Sequence, residues 1–414
     1  MKKLLARNVC LQLLGAHSLL RCNTRFKHVR RTPPAIRGCG GSRTRRLALK
    51  SQLFTPTGST APIALIDIPA KLREQRVKVA EWRTWARQQA EYFNKSMREH
   101  ADSPSLETLF TEIDWLVDDN ISFEEHNISS YAKLSSYSDE GLGRNRSLDY
   151  LSVRIPLEEL SLLWARRLRE RVPLQYLTHI AYWRDLELVV NADVLIPRPE
   201  TELVVDWALE ASARNRASGS SSSGKLEHGP WLDLGTGSGA IAIALAKYFV
   251  VEKEGIRPCV YAVDISPGAC SIAAHNLMRH GVQEVVHLTQ ASWFDAFENN
   301  KEMPGKFAGI ISNPPYIPSD KLNSLQPEVR HEPKLALDGG TGAGLDSLTK
   351  ICTNAAKYLM QGGTLILETH GPEQSMILKQ QLSSTSYFTH VEVRFDHFGV
   401  GRFVTTQRND AVWH

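Results

Sequence analysis

The sequence predicts an α/β protein, a largely parallel sheet with helices on both faces, set behind a small helical domain. Three observations carry this. From residue 231 onward strand-like apolar runs alternate with helical ones, at Trp231 to Leu234, Val260 to Val263, Val285 to Leu288, Phe307 to Ile311 and Thr364 to Leu367. Such alternation builds βαβ units with right-handed crossovers. Between residues 68 and 172 apolar positions recur at three and four, in Val77, Val79, Ala80, Trp82, Trp85 and Ala86, then Leu106 to Val117, then Leu157 to Leu168, the period of helices that bury one face. Between the two regions Tyr182, Trp183, Leu186, Leu188, Val189 and Val190 favour strands, so a β-hairpin is expected to join them.

The chain has 414 residues, 42% of them apolar, with 49 Lys and Arg against 45 Asp and Glu. This composition excludes wholesale disorder, collagen and a disulfide scaffold. No uncharged apolar run reaches about 18 residues, so no membrane-spanning helix is expected. Charge is distributed unevenly: residues 1–66 hold 13 basic residues and no acidic one, leaving 36 basic against 45 acidic in the remainder, a net charge of −9. With Leu4, Leu5, Leu11, Leu13 and Leu14 spaced along one face of a short helix, this leader reads as a disordered organelle transit peptide. A secretory signal fits worse, because Arg7, Asn8 and His17 interrupt the apolar stretch. A nucleic-acid-binding arm would want interleaved aromatics, and the leader offers Phe26 and Phe54 alone. Cys10, Cys22 and Cys39 fall in the leader; Cys259, Cys270 and Cys352 match no zinc or disulfide spacing, and no metal is expected.

The elements then follow in order. A helical domain spans 67–172, with a loop from Ser129 to Ser147 where apolar periodicity lapses. The hairpin linker takes 173–196, and 197–414 form the α/β domain. A helix from Glu202 to Ala213 leads into the Ser-rich tether 218–224. Val391 to Phe395 and Arg402 to Thr406, parted by Gly399 and Gly401, are expected to add an antiparallel pair at the sheet edge. Arg166, Arg167, Arg169 and Arg171 form a basic run that reads most simply as a solvated helix face.

Two segments carry chemistry. Asp233-Leu234-Gly235-Thr236-Gly237-Ser238-Gly239-Ala240 follows a strand and opens a helix, and glycines there let backbone approach a ligand at a helix N-terminus. Gly235, Gly237 and Ala240 satisfy a lenient dinucleotide fingerprint; Gly235, Gly237 and Gly239 suit the G-x-G-x-G turn that holds S-adenosylmethionine. The loop alone does not decide. Asp264 closes the next strand, 25 residues after Gly239, where a carboxylate can accept hydrogen bonds from the ribose hydroxyls of either cofactor.

The second segment is Ser312-Asn313-Pro314-Pro315-Tyr316-Ile317-Pro318, at the carboxyl end of the fourth parallel strand, where open α/β sheets bind ligands. Two prolines hold φ near about −65° and remove two donors, so this backbone offers carbonyl acceptors in a stiff arrangement. Asn313 adds a side-chain acceptor and Tyr316 a flat face. A conjugated NH2 group is a poor nucleophile because its lone pair is delocalised. Acceptors on its two N–H bonds, the Asn313 side-chain oxygen and the Pro314 carbonyl, would orient it and favour a pyramidal nitrogen. Attack on a sulfonium methyl disperses charge, so positioning matters more than a strong base. A dehydrogenase gives this tetrapeptide no task.

On these motifs the sequence resembles the HemK/PrmC family of release-factor glutamine N5-methyltransferases. The resemblance runs from Trp82 to Phe403 and is carried by Val194 to Glu202, Asp233 to Gly239, Ser312 to Ile317, and Leu335 to Gly340 with Gly344-Leu345-Asp346. It implies a Rossmann-like S-adenosylmethionine-dependent methyltransferase domain, with a mostly parallel seven-stranded sheet, and a helical domain that docks the protein substrate. It implies that Gly235, Thr236, Gly237, Ser238, Gly239, Asp264 and Trp293 bind the cofactor, Trp293 beside the adenine and Asn313 at the methyl end. It makes Asn313, Pro314 and Tyr316 the catalytic set, with Pro315, Arg198 and Glu200 completing the substrate site. The implied reaction methylates the glutamine of the Gly-Gly-Gln tip of a release factor. Ser292 stands where the family often has an acid, and Tyr176-Leu177-Thr178-His179 replaces its Tyr-Ile-x-Gly in the hairpin, so His179 takes a glycine position. Trp183-Arg184-Asp185, Leu325 to Val329 with His331-Glu332-Pro333, and Gly401-Arg402-Phe403 resemble the cyanobacterial branch. With the leader, this points to a chloroplast stroma, the mitochondrial matrix being the alternative. A monomer is expected, with a release factor as partner and no membrane or direct nucleic-acid contact. Asn-Pro-Pro-Tyr also occurs in adenine-N6 methyltransferases, which flip their base, but the net negative charge after the leader argues against a phosphate-binding surface. A non-catalytic adaptor would have no use for an intact Asn313 to Tyr316.

Overall fold

The computed structural model describes residues 61–97, 102–122, 150–217, 226, 229–252, 260–303 and 305–409. Most of the leader, the loop from Ser129 to Ser147, the tether 218–224 and Cys259 lie outside the described residues.

In the helical domain α1 (Arg76–Ser96) buries Val79, Trp82, Ala86 and Ala90, the three-and-four stripe the sequence displays. It packs on α2 (Leu106–Asn120) and α3 (Leu157–Arg169). Ser105 caps α2 by accepting the Thr108 amide. Two indoles tie α1 to α3: Trp82 Nε1 donates to Ser161 Oγ at 2.9 Å and Trp164 Nε1 to the Ala86 carbonyl at 3.1 Å. Within this domain the structure departs from the sequence expectation in three places. Ala64 and Leu65 are fully buried in this core, so the folded chain starts before residue 67. β1 (Leu72–Gln75) pairs antiparallel with β2 (Tyr150–Val153), a ribbon that helical periodicity does not announce. Arg167 and Arg171 are buried, whereas Arg166 and Arg169 stay at the surface. Arg167 contacts Glu112 at 2.7 Å and Glu328 at 2.9 Å, and Arg171 contacts Glu328 at 2.6 Å. A buried guanidinium needs paired carboxylates, and these come from sequence positions far away.

A short helix α4 (Leu174–Thr178) precedes the hairpin β3 (Ile180–Trp183) and β4 (Leu186–Val189). His179 is therefore not in the hairpin but caps α4 in the left-handed conformation, φ 55° and ψ 28°. That is where a glycine is ordinarily used. Asn276 on α7 (Pro267–Arg279) fastens the hairpin to the α/β domain. Its Oδ1 accepts from the Val189 amide at 2.8 Å, while Nδ2 donates to the Val189 and Ser238 carbonyls at 2.9 Å each.

Among the described residues the main sheet has seven strands. β5 (Trp231–Leu234), β6 (Val260–Asp264), β7 (Val286–Gln290), β8 (Phe307–Ser312), β11 (Leu359–Glu368) and β12 (Phe388–Phe395) share one direction and β13 (Gly401–Arg408), between β12 and β11, runs antiparallel to them, in the order β12-β13-β11-β8-β5-β6-β7. Two apolar clusters cover its faces, one including α5 (Glu202–Ala217) and α6 (Ala240–Glu252), the other α8 (Asp346–Tyr358) and α9 (Pro372–Ser383). The chain steps from β5 outward to β7 and then crosses back to the other side of β5 to form β8. A crevice opens at that reversal, between the carboxyl ends of β5 and β8.

Candidate active site

Both chemical segments leave the sheet at this crevice. Leu234 and Ser312 are register partners on β5 and β8, and Ser312 Oγ donates to the Leu234 carbonyl at 2.7 Å. The glycine loop and Asn313 thus start side by side.

Gly235, Gly237 and Gly239 all have positive φ, at 73°, 55° and 84°, a run of conformations that side-chain-bearing residues rarely adopt. A Cβ at Gly237 would meet nothing within 4 Å, so the space above the turn is open. Thr236 and Ser238 are buried, and Thr236 Oγ1 donates to Asp233 Oδ2 at 2.7 Å. Burial pushes the Asp233 carboxyl up to about 7. Asp264 accepts the Gly237 amide on Oδ2 and the Ser266 amide on Oδ1, both at 2.9 Å. It therefore shapes the turn as well as standing beside it, and burial raises its carboxyl above the ordinary range despite these donors. Trp293 flanks the loop: a Cβ on Gly235 would come within 3.5 Å of its ring. Trp293 holds φ 47°, costly for a bulky residue and typical of functional sites. An open glycine turn on a helix N-terminus, a carboxylate at the second strand end and an aromatic face fit a nucleoside-bearing cofactor.

A cavity of about 640 Å³ lies between the helical and α/β domains. Its α/β wall includes Asn313, Tyr316, Arg198, Glu200, Glu368, His370 and Arg402; the helical domain contributes Glu112, Trp115, Asp119 and Arg167. Arg198, Glu200, Asn313 and Tyr316 are thus brought together, whereas Gly235 to Gly239, Asp264 and Trp293 do not line this cavity. Pro314 is buried and Pro315 half-buried beside them. Glu332 holds the approach from Ile196 to Arg198: its carboxylate accepts the Ile196 amide at 3.1 Å and the Arg198 guanidinium at 2.6 Å. Arg402 is paired with Asp396 at 2.8 Å by charge attraction rather than by an aligned hydrogen bond.

The turn after β8 is buttressed from behind. β9 (Ile317–Pro318) pairs parallel with β10 (Asp338–Gly340), and Gln374 Nε2 donates to the Tyr316 carbonyl at 2.7 Å and the Ala343 carbonyl at 2.6 Å. The Leu335 to Asp346 motif packs against Tyr316 so closely that Gly339 has no room for a side chain. Asn313 Nδ2 donates to Thr201 Oγ1 at 3.2 Å, Thr201 Oγ1 donates to Glu368 Oε2 at 2.7 Å, and the Tyr316 hydroxyl donates to Glu368 Oε1 at 3.2 Å. Burial raises the Tyr316 hydroxyl above its ordinary range, so it stays a donor at neutral pH. Thr201 and Glu332 stand in motifs quoted from the sequence but carry no role there, and Glu368 and Gln374 lie outside those motifs. An acid closing an otherwise apolar strand is the signal that could have flagged Glu368.

Residues 226–405 match a family described as a methyltransferase domain. The release factor glutamine methyltransferase of Thermosynechococcus vestitus is 40% identical over 258 residues, 62% of this chain and 81% of that protein. The protein of the same name from Gloeobacter violaceus is 41% identical over 60% of this chain and 79% of its own length. The one from Synechocystis is 38% identical over 59% and 76%. With the glycine turn, the β5–β8 crevice and Asn313 to Tyr316 in place, the chain belongs to the release factor glutamine methyltransferase family and is an S-adenosylmethionine-dependent methyltransferase.

Proposed function

We propose that this chain methylates the side-chain amide nitrogen of the glutamine in the Gly-Gly-Gln tip of an organellar peptide chain release factor, acting as a monomer. The observation that carries the reading is the cavity, which has Asn313 and Tyr316 in its wall and the helical domain across from them. Bound S-adenosylmethionine supplies an electrophilic methyl group. Gly235 to Gly239 would hold it through backbone amides, Asp264 through the ribose hydroxyls and Trp293 along the adenine. The side-chain oxygen of Asn313 and the carbonyl of Pro314 each accept one N–H of the glutamine amide, loosening the nitrogen lone pair from conjugation and turning it toward the methyl group. Pro314 and Pro315 keep the wall stiff, Tyr316 flanks the amide, and Arg198 and Glu200 line the way in. Positioning of this kind is worth several kcal/mol without any strong base.

The glycines of the tip would let a peptide enter a narrow opening without side-chain bulk. The same cavity is poor for nucleic acid. Its walls carry the carboxylates of Glu112, Asp119, Glu200, Glu328 and Glu332, and its arginines at 167, 198 and 402 are already ion-paired, leaving little to neutralise phosphates. The test is incubation with labelled S-adenosylmethionine and a plastid release factor, its Gln→Ala variant at the tip, or total RNA and DNA. Label is expected on the wild-type release factor alone; label on nucleic acid, or on the Ala variant, contradicts the reading. The acid-free leader supports an organellar address and the cyanobacterial relatives a plastid one, whereas the Arg-rich, Ser-poor start suits a mitochondrion. A fluorescent fusion to residues 1–66 should collect in chloroplasts, and collection in mitochondria would transfer the proposal there.

A further inference from the structure

An asparagine amide turned by half a rotation has almost the same shape but presents donors where it had an acceptor. A substrate amide N–H needs an acceptor, so the wall works in one orientation of Asn313 only. This inference rests on the glutamine reading above. The structure holds a device that makes the choice. Thr201 Oγ1 stands 3.2 Å from Asn313 Nδ2 and 2.7 Å from Glu368 Oε2. The threonine hydroxyl has one hydrogen. While the carboxylate takes it, Oγ1 shows Asn313 lone pairs only, so the NH2 end of the amide must bond there and the oxygen end is left for the cavity. The Tyr316 hydroxyl gives its own hydrogen to Glu368 Oε1, and both flanks of the reacting wall close on one buried carboxylate.

We propose that Glu368 and Thr201 are positioning residues that lock the Asn313 amide with its oxygen toward the substrate, and that the lock holds only while Glu368 is ionised. A protonated Glu368 donates to Thr201, the threonine hydrogen swings to Asn313, and the amide turns its oxygen inward and its NH2 group to the cavity. The surroundings set this change near neutrality: burial pushes the Glu368 carboxyl up to about 7, with Glu200 adding to the rise and Thr201, Arg402 and Tyr316 opposing it.

The test reads the lock with and without substrate. In isotope-labelled protein, the Asn313 side-chain amide resonances should move between pH 5.5 and 8.5 with a midpoint near that value, and should stay still in Glu368→Gln. Asp233 titrates in the same range but lies under the glycine turn, so its effect belongs to cofactor affinity. With a release-factor substrate, Glu368→Gln and Thr201→Val should each lower kcat by roughly 10²-fold at unchanged S-adenosylhomocysteine affinity. Thr201→Ser should restore most of the rate, and the acid limb of the wild-type kcat profile should vanish in Glu368→Gln. Thermal unfolding of Thr201→Val, which keeps the shape of the side chain, separates misfolding from misorientation. Asn313 resonances indifferent to pH and to Glu368→Gln, or wild-type kcat in Thr201→Val, would overturn the proposal. A wild-type enzyme inactive on the release factor would sink the substrate reading instead, and the resonance titration would still decide the orientation.

Discussion

Gly339→Ala tests how firmly the Asn313 to Tyr316 turn is braced. Gly339 sits on β10, directly behind that turn. A Cβ built on it would lie 2.4 Å from the Gly344 carbonyl oxygen and 2.6 Å from both the carbonyl carbon and Cα of Tyr316, where ordinary contact begins at about 3.4 Å. All three neighbours are backbone atoms, so no rotamer change relieves the overlap, and the two segments must part by about 1 Å. Overpacking of this kind costs about 1–3 kcal/mol of stability. A shift of about 1 Å in a positioning group costs roughly 10²-fold in rate. None of the atoms that this Cβ would meet belongs to the glycine turn, so cofactor affinity should stay near wild type. Single-turnover methyl transfer, calorimetric binding of S-adenosylhomocysteine and thermal unfolding measure the three quantities separately. A variant with wild-type rate and stability would refute the bracing argument, and one whose rate loss is matched by lost cofactor affinity would refute the separation of the two halves of the site.

Three further outcomes follow from the geometry. Asn313→Ala removes the acceptor proposed for the reacting amide and should lower kcat by roughly 10²–10³-fold with S-adenosylhomocysteine affinity nearly unchanged; a collapse of that affinity would reassign Asn313 to the cofactor. His179→Gly should raise stability by about 0.5–1 kcal/mol, since relief of a left-handed residue, about 1–2 kcal/mol, exceeds the added freedom of glycine in the unfolded chain, and a lower Tm contradicts it. Asp233 is a carboxyl raised on folding, so its contribution favours the folded state below the unfolded pKa near 3.8 and is lost as pH rises through about 7. Asp233→Asn should therefore flatten the fall in Tm between pH 4 and pH 8, and an unchanged slope would show that the carboxyl is not raised.

Much of the fold was legible because its signals are local. The alternation from Trp231 onward marks the parallel strands, and the apolar stripe of α1 marks its buried face. The glycine turn and Asn313 to Tyr316 are each contiguous, so both segments stand out in the sequence without knowledge of their neighbourhood. What stayed hidden depends on pairs that only folding brings together. Thr201 and Glu368 are 167 residues apart. Arg167 reads as a surface charge because its partners Glu112 and Glu328 lie 55 and 161 residues away. β1 and β2 are too short and too polar to carry a period of two, and they form because each completes the other. His179 shows the converse case: the sequence marks a missing glycine, and the structure supplies the reason in the left-handed cap of α4.

In the proposed chemistry the wall at Asn313 and Pro314 offers two acceptors to one carboxamide. A crystal structure of the chain with S-adenosylhomocysteine and a Gly-Gly-Gln peptide measures this directly. The glutamine nitrogen is expected within about 2.7–3.2 Å of both Asn313 Oδ1 and the Pro314 carbonyl oxygen, facing the cofactor sulfur. A glutamine held elsewhere in the cavity, or met by the NH2 end of Asn313, would contradict it.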